Sequence, residues 1–210
     1  VWLEADQVIR AGTRGAKGLY DFAKAFFGMR DGDWGQLTYT FDDVVGTLNA
    51  VYPYDWAKFL KDRLYETNAP APLAGIEKAG YKLVWKDLPN PYEAGLARYR
   101  RSLDLTYSLG MTINAEGDVL SSVWDGPAFN AGLVKGSKIV AVNGASYKPE
   151  TMTSAIAAAK DTKRPLDLLI KRGDRFLTVP VTWSGGMRSP WLERTGKSET
   201  GLDRLLAPHK

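Results

Sequence analysis

The sequence predicts an α+β fold: an N-terminal helical bundle followed by a partly open antiparallel β-barrel with two helices. Three observations predict it. Up to Leu64, apolar side chains recur at helical spacing. From Leu103 onward the apolar runs are short and separated by glycine turns. Between them lies a proline-rich stretch, Ala69-Pro70-Ala71-Pro72, then a turn from Asp87 to Pro91. These mark out a helical domain over 1–92, a β-rich domain over 93–186 and a tail over 187–210.

The helices follow in order. Val1, Ala5, Val8 and Ile9 share one helical face, ended by Gly12. Leu19, Phe22, Ala23 and Phe26 form a second stripe, with Gly28 placed to stop it. Thr40 and Asp43 make a capping box that opens a third helix through Val44, Val45, Leu48 and Val51. Pro53 ends it, and Asp55 caps a fourth whose stripe is Trp56, Phe59, Leu60 and Leu64. Gly75 to Ala79 allows one more turn, and Tyr81 to Trp85 alternates like a strand.

The β-rich part begins with Leu103-Asp104-Leu105. Tyr107–Ile113 and Val119–Val123 flank a turn at Asn114 to Asp118. Gly126-Pro127 is a turn in which Pro127 can open a helix, and Gly132 suits a left-handed helix end. Ile139 to Val142 is an apolar strand, and Asn143-Gly144 is a strong hairpin signal. Glu150 to Lys160 is Ala-rich, with Met152, Ile156 and Ala159 on one face. Leu166–Lys171 and Arg175–Trp183 form a second hairpin. In the tail, Trp191, Leu192, Leu202, Leu205 and Leu206 predict packing against the body.

Composition narrows the function. The 210 residues are 44% hydrophobic and 25% charged, the ordinary globular range. With no cysteine there is no disulfide. The net charge of +4 is carried by the second half and can favour acidic partners. No Lys/Arg stripe interleaved with aromatics argues for a nucleic-acid partner. No run approaches the roughly 18 apolar residues of a membrane helix. The chain begins in mid-pattern, without an initiator Met or a leader, which predicts a fragment or processed product.

The run from Gly126 to Gly144 resembles the middle of a PDZ domain, with Ser137 where that family has Asp. The resemblance implies a carboxylate-binding loop at Ser108-Leu109-Gly110-Met111, whose backbone N–H groups would converge on a peptide terminus. Leu109, Met111 and Ile113 would line one wall of an apolar groove, and Met152, Ile156 and Ala159 the other. Met152 at the helix start argues against a preference for Ser or Thr two residues from the peptide end. Such a stripe serves equally well as plain core. Arg100 and Arg101 could steer a carboxylate or sit as a solvated pair.

Other candidates are weaker. Asp31-Gly32-Asp33-Trp34-Gly35 alternates acids but misses the calcium-loop spacing. Lys160, Lys163, Arg164, Lys171, Arg172 and Arg175 read as a solvated face. His209 is the lone histidine and cannot make a zinc site by itself. No catalytic constellation is visible.

The helical half adds a wider resemblance. Trp2 to Asp6, Asp21 to Gly28, Tyr39 to Val45, Tyr54 to Leu60 and Gly80 to Leu83, followed directly by a PDZ domain, resemble the C-terminal region of the PDZ-containing glycyl aminopeptidases. These are gluzincin zinc peptidases that remove small N-terminal residues. The resemblance implies zinc in the full-length enzyme and no cofactor in this chain. It also implies a catalytic part upstream of Val1, a peptide or protein C-terminus as partner, and a periplasmic or secreted location. A freestanding PDZ peptide-binding adaptor is the alternative.

Overall fold

The computed structural model describes residues 1–67, 70–162 and 164–208. Ala69 of the connector, Lys163 and His209 lie outside the described residues. The chain divides into two units: Val1–Leu83 with Leu192–Lys210, and Val84–Trp191.

In the first unit, α1 (Trp2–Gly12), α2 (Leu19–Phe27), α3 (Phe41–Val51), α4 (Trp56–Leu64) and α5 (Ala74–Lys78) precede β1 (Tyr81–Lys86). The capping box at Thr40 forms as its sequence predicts. The Thr40 N–H donates to the Asp43 carboxylate at 2.8 Å, and the Asp43 N–H donates to the Thr40 hydroxyl at 3.3 Å. Asp55 caps α4 by accepting the Lys58 N–H at 3.0 Å. The apolar stripes meet in a core of Ala5, Ile9, Phe22, Phe26, Leu48, Val51, Trp56, Phe59 and Leu60. Leu64, expected in that stripe, is exposed at the last turn of α4. Acidic residues of α1 are also buried. Glu4 accepts from Arg63 and Lys78, while Asp6 accepts from Arg10 and the Leu19 N–H.

The second unit opens with α6 (Pro91–Arg100), followed by β2 (Ser102–Leu105), β3 (Met111–Asn114) and β4 (Val119–Ser122). Then come α7 (Pro127–Asn130), β5 (Ser137–Val142), β6 (Ala145–Ser146), α8 (Pro149–Ala158), β7 (Leu166–Arg172) and β8 (Arg175–Val181). The strands form two open antiparallel sheets, ordered β2-β3-β4 and β6-β5-β7-β8, not a closed barrel. The β5–β6 turn uses Asn143 and Gly144 at φ 49° and 83°, the two left-handed residues such a hairpin needs. The inner faces of both sheets, with α7 and α8, share one core that includes Leu105, Leu133, Ile139, Leu168 and Val181.

The tail adds β9 (Ser189–Arg194), paired with β1 in a two-stranded sheet, and α9 (Gly201–Leu206). Thr200 and Asp203 cap α9 with a second capping box. The Thr195 and Leu202 N–H groups donate to Gly80 and Ala79. Asp203 accepts from Tyr81 and Arg194. Among the described residues no helix is long and apolar enough to cross a membrane.

One glycine stands where the two sheets of the second unit meet, beside the Asp118–Lys138 bridge. Gly117 sits at φ 94°, and its carbonyl accepts the Ile139 N–H at 2.8 Å. A Cβ there would stand 2.3 Å from the Ile139 carbonyl oxygen. Gly117→Ala should therefore cost about 2 kcal/mol, the sum of left-handed strain and a backbone shift. Urea unfolding followed through the β5 and β7 amides measures it. A loss below about 0.5 kcal/mol, the usual surface-substitution range, would refute the steric account.

Candidate functional site

The loop between β2 and β3 is built around Gly110, at φ 74°. That conformation turns successive N–H groups toward one point. The Ser108 and Gly110 N–H groups both donate to the Leu105 carbonyl, at 3.0 and 2.9 Å. The loop's own carbonyls are tied down by the next turn. Gly110 accepts from the Val123 N–H and Leu109 from the Ala128 N–H, both at 2.8 Å. The Gly110 and Gly126 backbones pass close together: a Cβ on Gly110 would be 3.4 Å from the Gly126 Cα. The Ser108 hydroxyl, buried, accepts the Arg188 N–H at 3.1 Å.

The structure brings the eight sequence-selected residues together. Leu109, Met111, Ile113, Met152, Ile156 and Ala159 belong to one buried cluster, and Ser108 and Gly110 are buried beside them. The side chains of α8 and of the loop and strand fill the space between those elements. The backbone of β3 is also engaged on both edges. Its partners are β2, in the register Leu103↔Ile113 and Leu105↔Met111, and β4, in the register Met111↔Ser122. An added peptide strand needs a free edge. Within this sheet, residues 102–105 pair with β3 on the edge away from β4, and the Leu105 carbonyl is already taken by the Ser108 and Gly110 N–H groups. Both strands are expected from the sequence, but their pairing is not, because nothing local fixes which strands pair.

One concave surface of this unit lies on the other face of the sheet, and another, of about 420 Å³, lies between α7 and the end of β8. A cavity of about 280 Å³ opens against α6 and is lined by Glu93, Leu96, Arg100, Asp104, Thr112 and Leu120. Burial, with the nearby Asp104 charge, pushes the Glu93 carboxyl above its ordinary pKa. Arg100 lies on this cavity, and Arg101 ends α6 at φ 50° with a guanidinium nitrogen 3.8 Å from Glu116. The sequence pattern puts Pro91 in a turn, whereas in the structure Pro91 opens α6. The local signal for that helix is its cap: Asn90 accepts the Glu93 N–H at 3.0 Å, with Pro at the first helical position.

The remaining candidates resolve into structure. Asp33 accepts the Gly35 N–H at 2.8 Å and pairs with Arg30 at 3.6 Å, as a polar turn does. Lys160 pairs with Asp87 at 3.4 Å. Ser137 is buried and accepts from the Arg172 guanidinium, which also donates to the Gly132 carbonyl. Among the described residues no group of three His, Cys, Asp or Glu could hold a metal ion, so the donor set that zinc needs is not found among them.

No protein-family model and no curated protein matches the sequence. Solved structures do. An aminopeptidase N family protein from Idiomarina loihiensis is 19% identical and aligns over 98% of this chain with a TM-score of 0.59. The chain spans 35% of that protein's length. The HtrA3 PDZ domain bound to a phage-derived ligand (FGRWV) aligns over 54% of this chain and 91% of its own, at 16% identity and a TM-score of 0.27. The photosystem II D1 C-terminal processing protease aligns over 88% of this chain and 43% of its own, at 13% identity and a TM-score of 0.30. The first of these establishes a shared fold that takes in residues of both units.

Proposed function

We propose that this chain is a non-catalytic portion of a zinc aminopeptidase, in which the PDZ-like unit braces the enzyme. The observation that supports the peptidase assignment is the alignment with an aminopeptidase N family protein, which runs through 98% of this chain. Bracing is favoured over peptide capture by the Leu105 carbonyl, which already accepts two loop N–H groups, and by the paired edges of β3. On this reading the zinc ligands, the general base and an exported, periplasmic setting belong to a longer protein.

Two measurements on the 210-residue chain test this. Peptides ending in Val, Leu or Phe should give no saturable binding below about 1 mM, a binding energy of only about 4 kcal/mol. Micromolar binding that shifts the Leu109–Met111 amides would overturn the bracing role in favour of the adaptor. Glycyl and alanyl nitroanilides should not be hydrolysed with or without added zinc. Turnover with one tightly bound zinc per chain would overturn the assignment of catalysis to residues elsewhere.

A further inference from the structure

The helical unit carries a cleft that the peptidase reading does not use. It has a volume of about 990 Å³, at the upper end of the range typical for small-molecule sites. Arg10, Arg14, Lys78 and Arg204 line it, with no acidic side chain among the described lining residues. Four cations line one space, three of them paired with carboxylates, and low-dielectric walls focus the field that remains on whatever enters. Two of them are held from beneath by buried acids of α1. Asp6 binds the Nε of Arg10 at 2.7 Å, and Glu4 binds Lys78 at 2.6 Å. Asp6 also accepts from the Leu19 N–H and the Gln7 amide, and among the described residues it meets Arg10 through Nε, with no hydrogen bond to the Nη donors. Arg204 is 3.8 Å from the exposed Glu199, a weak solvated pair. Arg14, at φ 54° just past α1, makes no hydrogen bond or ion pair among the described residues.

Two aromatic rings complete the cleft. Tyr52 lies against Gly12 so closely that a Cβ at position 12 would stand 2.1 Å from its ring. The absence of a side chain at Gly12 is what lets the ring lie there. Tyr54 leans on Trp56 at 5.0 Å between centroids, which limits its rotation. Charge and rings together define the ligand chemistry.

We propose that this cleft binds a small multivalent anion that carries a ring or other apolar body. Phosphates and carboxylates share the chemistry the guanidinium forks accept, and the two tyrosines contribute to binding the body. The proposal stands on the helical unit alone and is independent of the peptidase reading.

Amide chemical shifts of the 210-residue chain, titrated at low salt, test it. The probes are inorganic phosphate, citrate, adenosine monophosphate and uncharged adenosine. The Gly12, Arg14 and Gly15 amides should shift and saturate with adenosine monophosphate. Inorganic phosphate should bind more weakly, and adenosine should leave them unmoved. Saturation by citrate as well would assign the site to anions generally, and failure of citrate would assign it to phosphates. The Arg14→Glu/Arg204→Glu double variant should weaken binding at least about tenfold, while its spectrum stays folded, because charge-assisted contacts are lost. Gly12→Ala, which displaces Tyr52, should erase the advantage of adenosine monophosphate over inorganic phosphate. No saturable shift with any anion, or unchanged affinity in the folded double variant, would overturn the proposal.

Discussion

Trp56→Ala should remove about 4 kcal/mol from the helical unit, the range measured for truncating a fully buried large aromatic. Trp56 is 0% exposed and stands where α3 hands over to α4. Its indole N–H donates to the Tyr52 carbonyl at 2.8 Å. Its ring meets Phe59 and Tyr54 edge-on at 5.3 and 5.0 Å. Alanine would leave a cavity among Ile9, Leu48 and Phe59 that the helices can close only partly, and an unpaired Tyr52 carbonyl. Marginal stability makes such a loss enough to populate the unfolded unit. Hydrogen exchange reads it by region. Amides of α1 and α4 should lose protection by about three orders of magnitude, following the same free energy. Amides of β5 and β7 lie in the other core and should keep theirs. Equal loss in both units would refute separate cores, and a loss below about 1.5 kcal/mol would show that the site collapses freely.

Much of this architecture is written locally in the chain. Thr40 with Asp43, and Asp55 before Trp56, fix helix starts because the cap and the N–H that donates to it lie within three residues. Asn143-Gly144 fixes a hairpin because both positions need a left-handed backbone. Caps of the same kind stand at Asn90-Pro91 and at Thr200-x-x-Asp203, where they open α6 and α9. Those two helices are short or weakly amphipathic, so no apolar stripe accompanies the cap to announce them. The candidate groove is different. Met152 and Ile156 at helical spacing, facing Leu109 and Met111, describe a slot and a core equally well. What separates the two is whether another strand occupies the edge of β3. That depends on β2 folding back through a loop curled at Gly110, a choice among several short apolar strands that no local pattern encodes. The basic cleft is invisible in the sequence for a related reason: Arg10, Lys78 and Arg204 come from three separate segments. The burial of Glu4 and Asp6 also runs against their charge, and only tertiary partners explain it.

Acid should unfold the helical unit in a window set by Glu4. Its carboxylate is almost fully buried and receives Arg63 on both oxygens, at 2.7 and 2.8 Å, and Lys78 at 2.6 Å. The Arg63 hydrogen bonds lead in lowering its pKa from 4.5 to about 2; burial opposes the shift and Lys78 assists it. A group whose folded pKa is depressed stabilises the fold above its unfolded value. That stability is therefore present above pH 4.5 and drains away as pH falls toward 2. The shift corresponds to at most about 3 kcal/mol, less whatever solvent screening of the half-exposed Lys78 removes. Glu4→Gln keeps the shape and deletes the charge. At pH 7 it should lose roughly that amount, since the Arg63 guanidinium is left against a neutral amide. Between pH 5 and 2 its stability should fall less steeply than that of the parent chain. Urea midpoints taken across this range for both proteins decide the matter. If the two curves run parallel, the acid sensitivity belongs to other carboxylates, and the Glu4–Arg63–Lys78 cluster contributes packing without linkage.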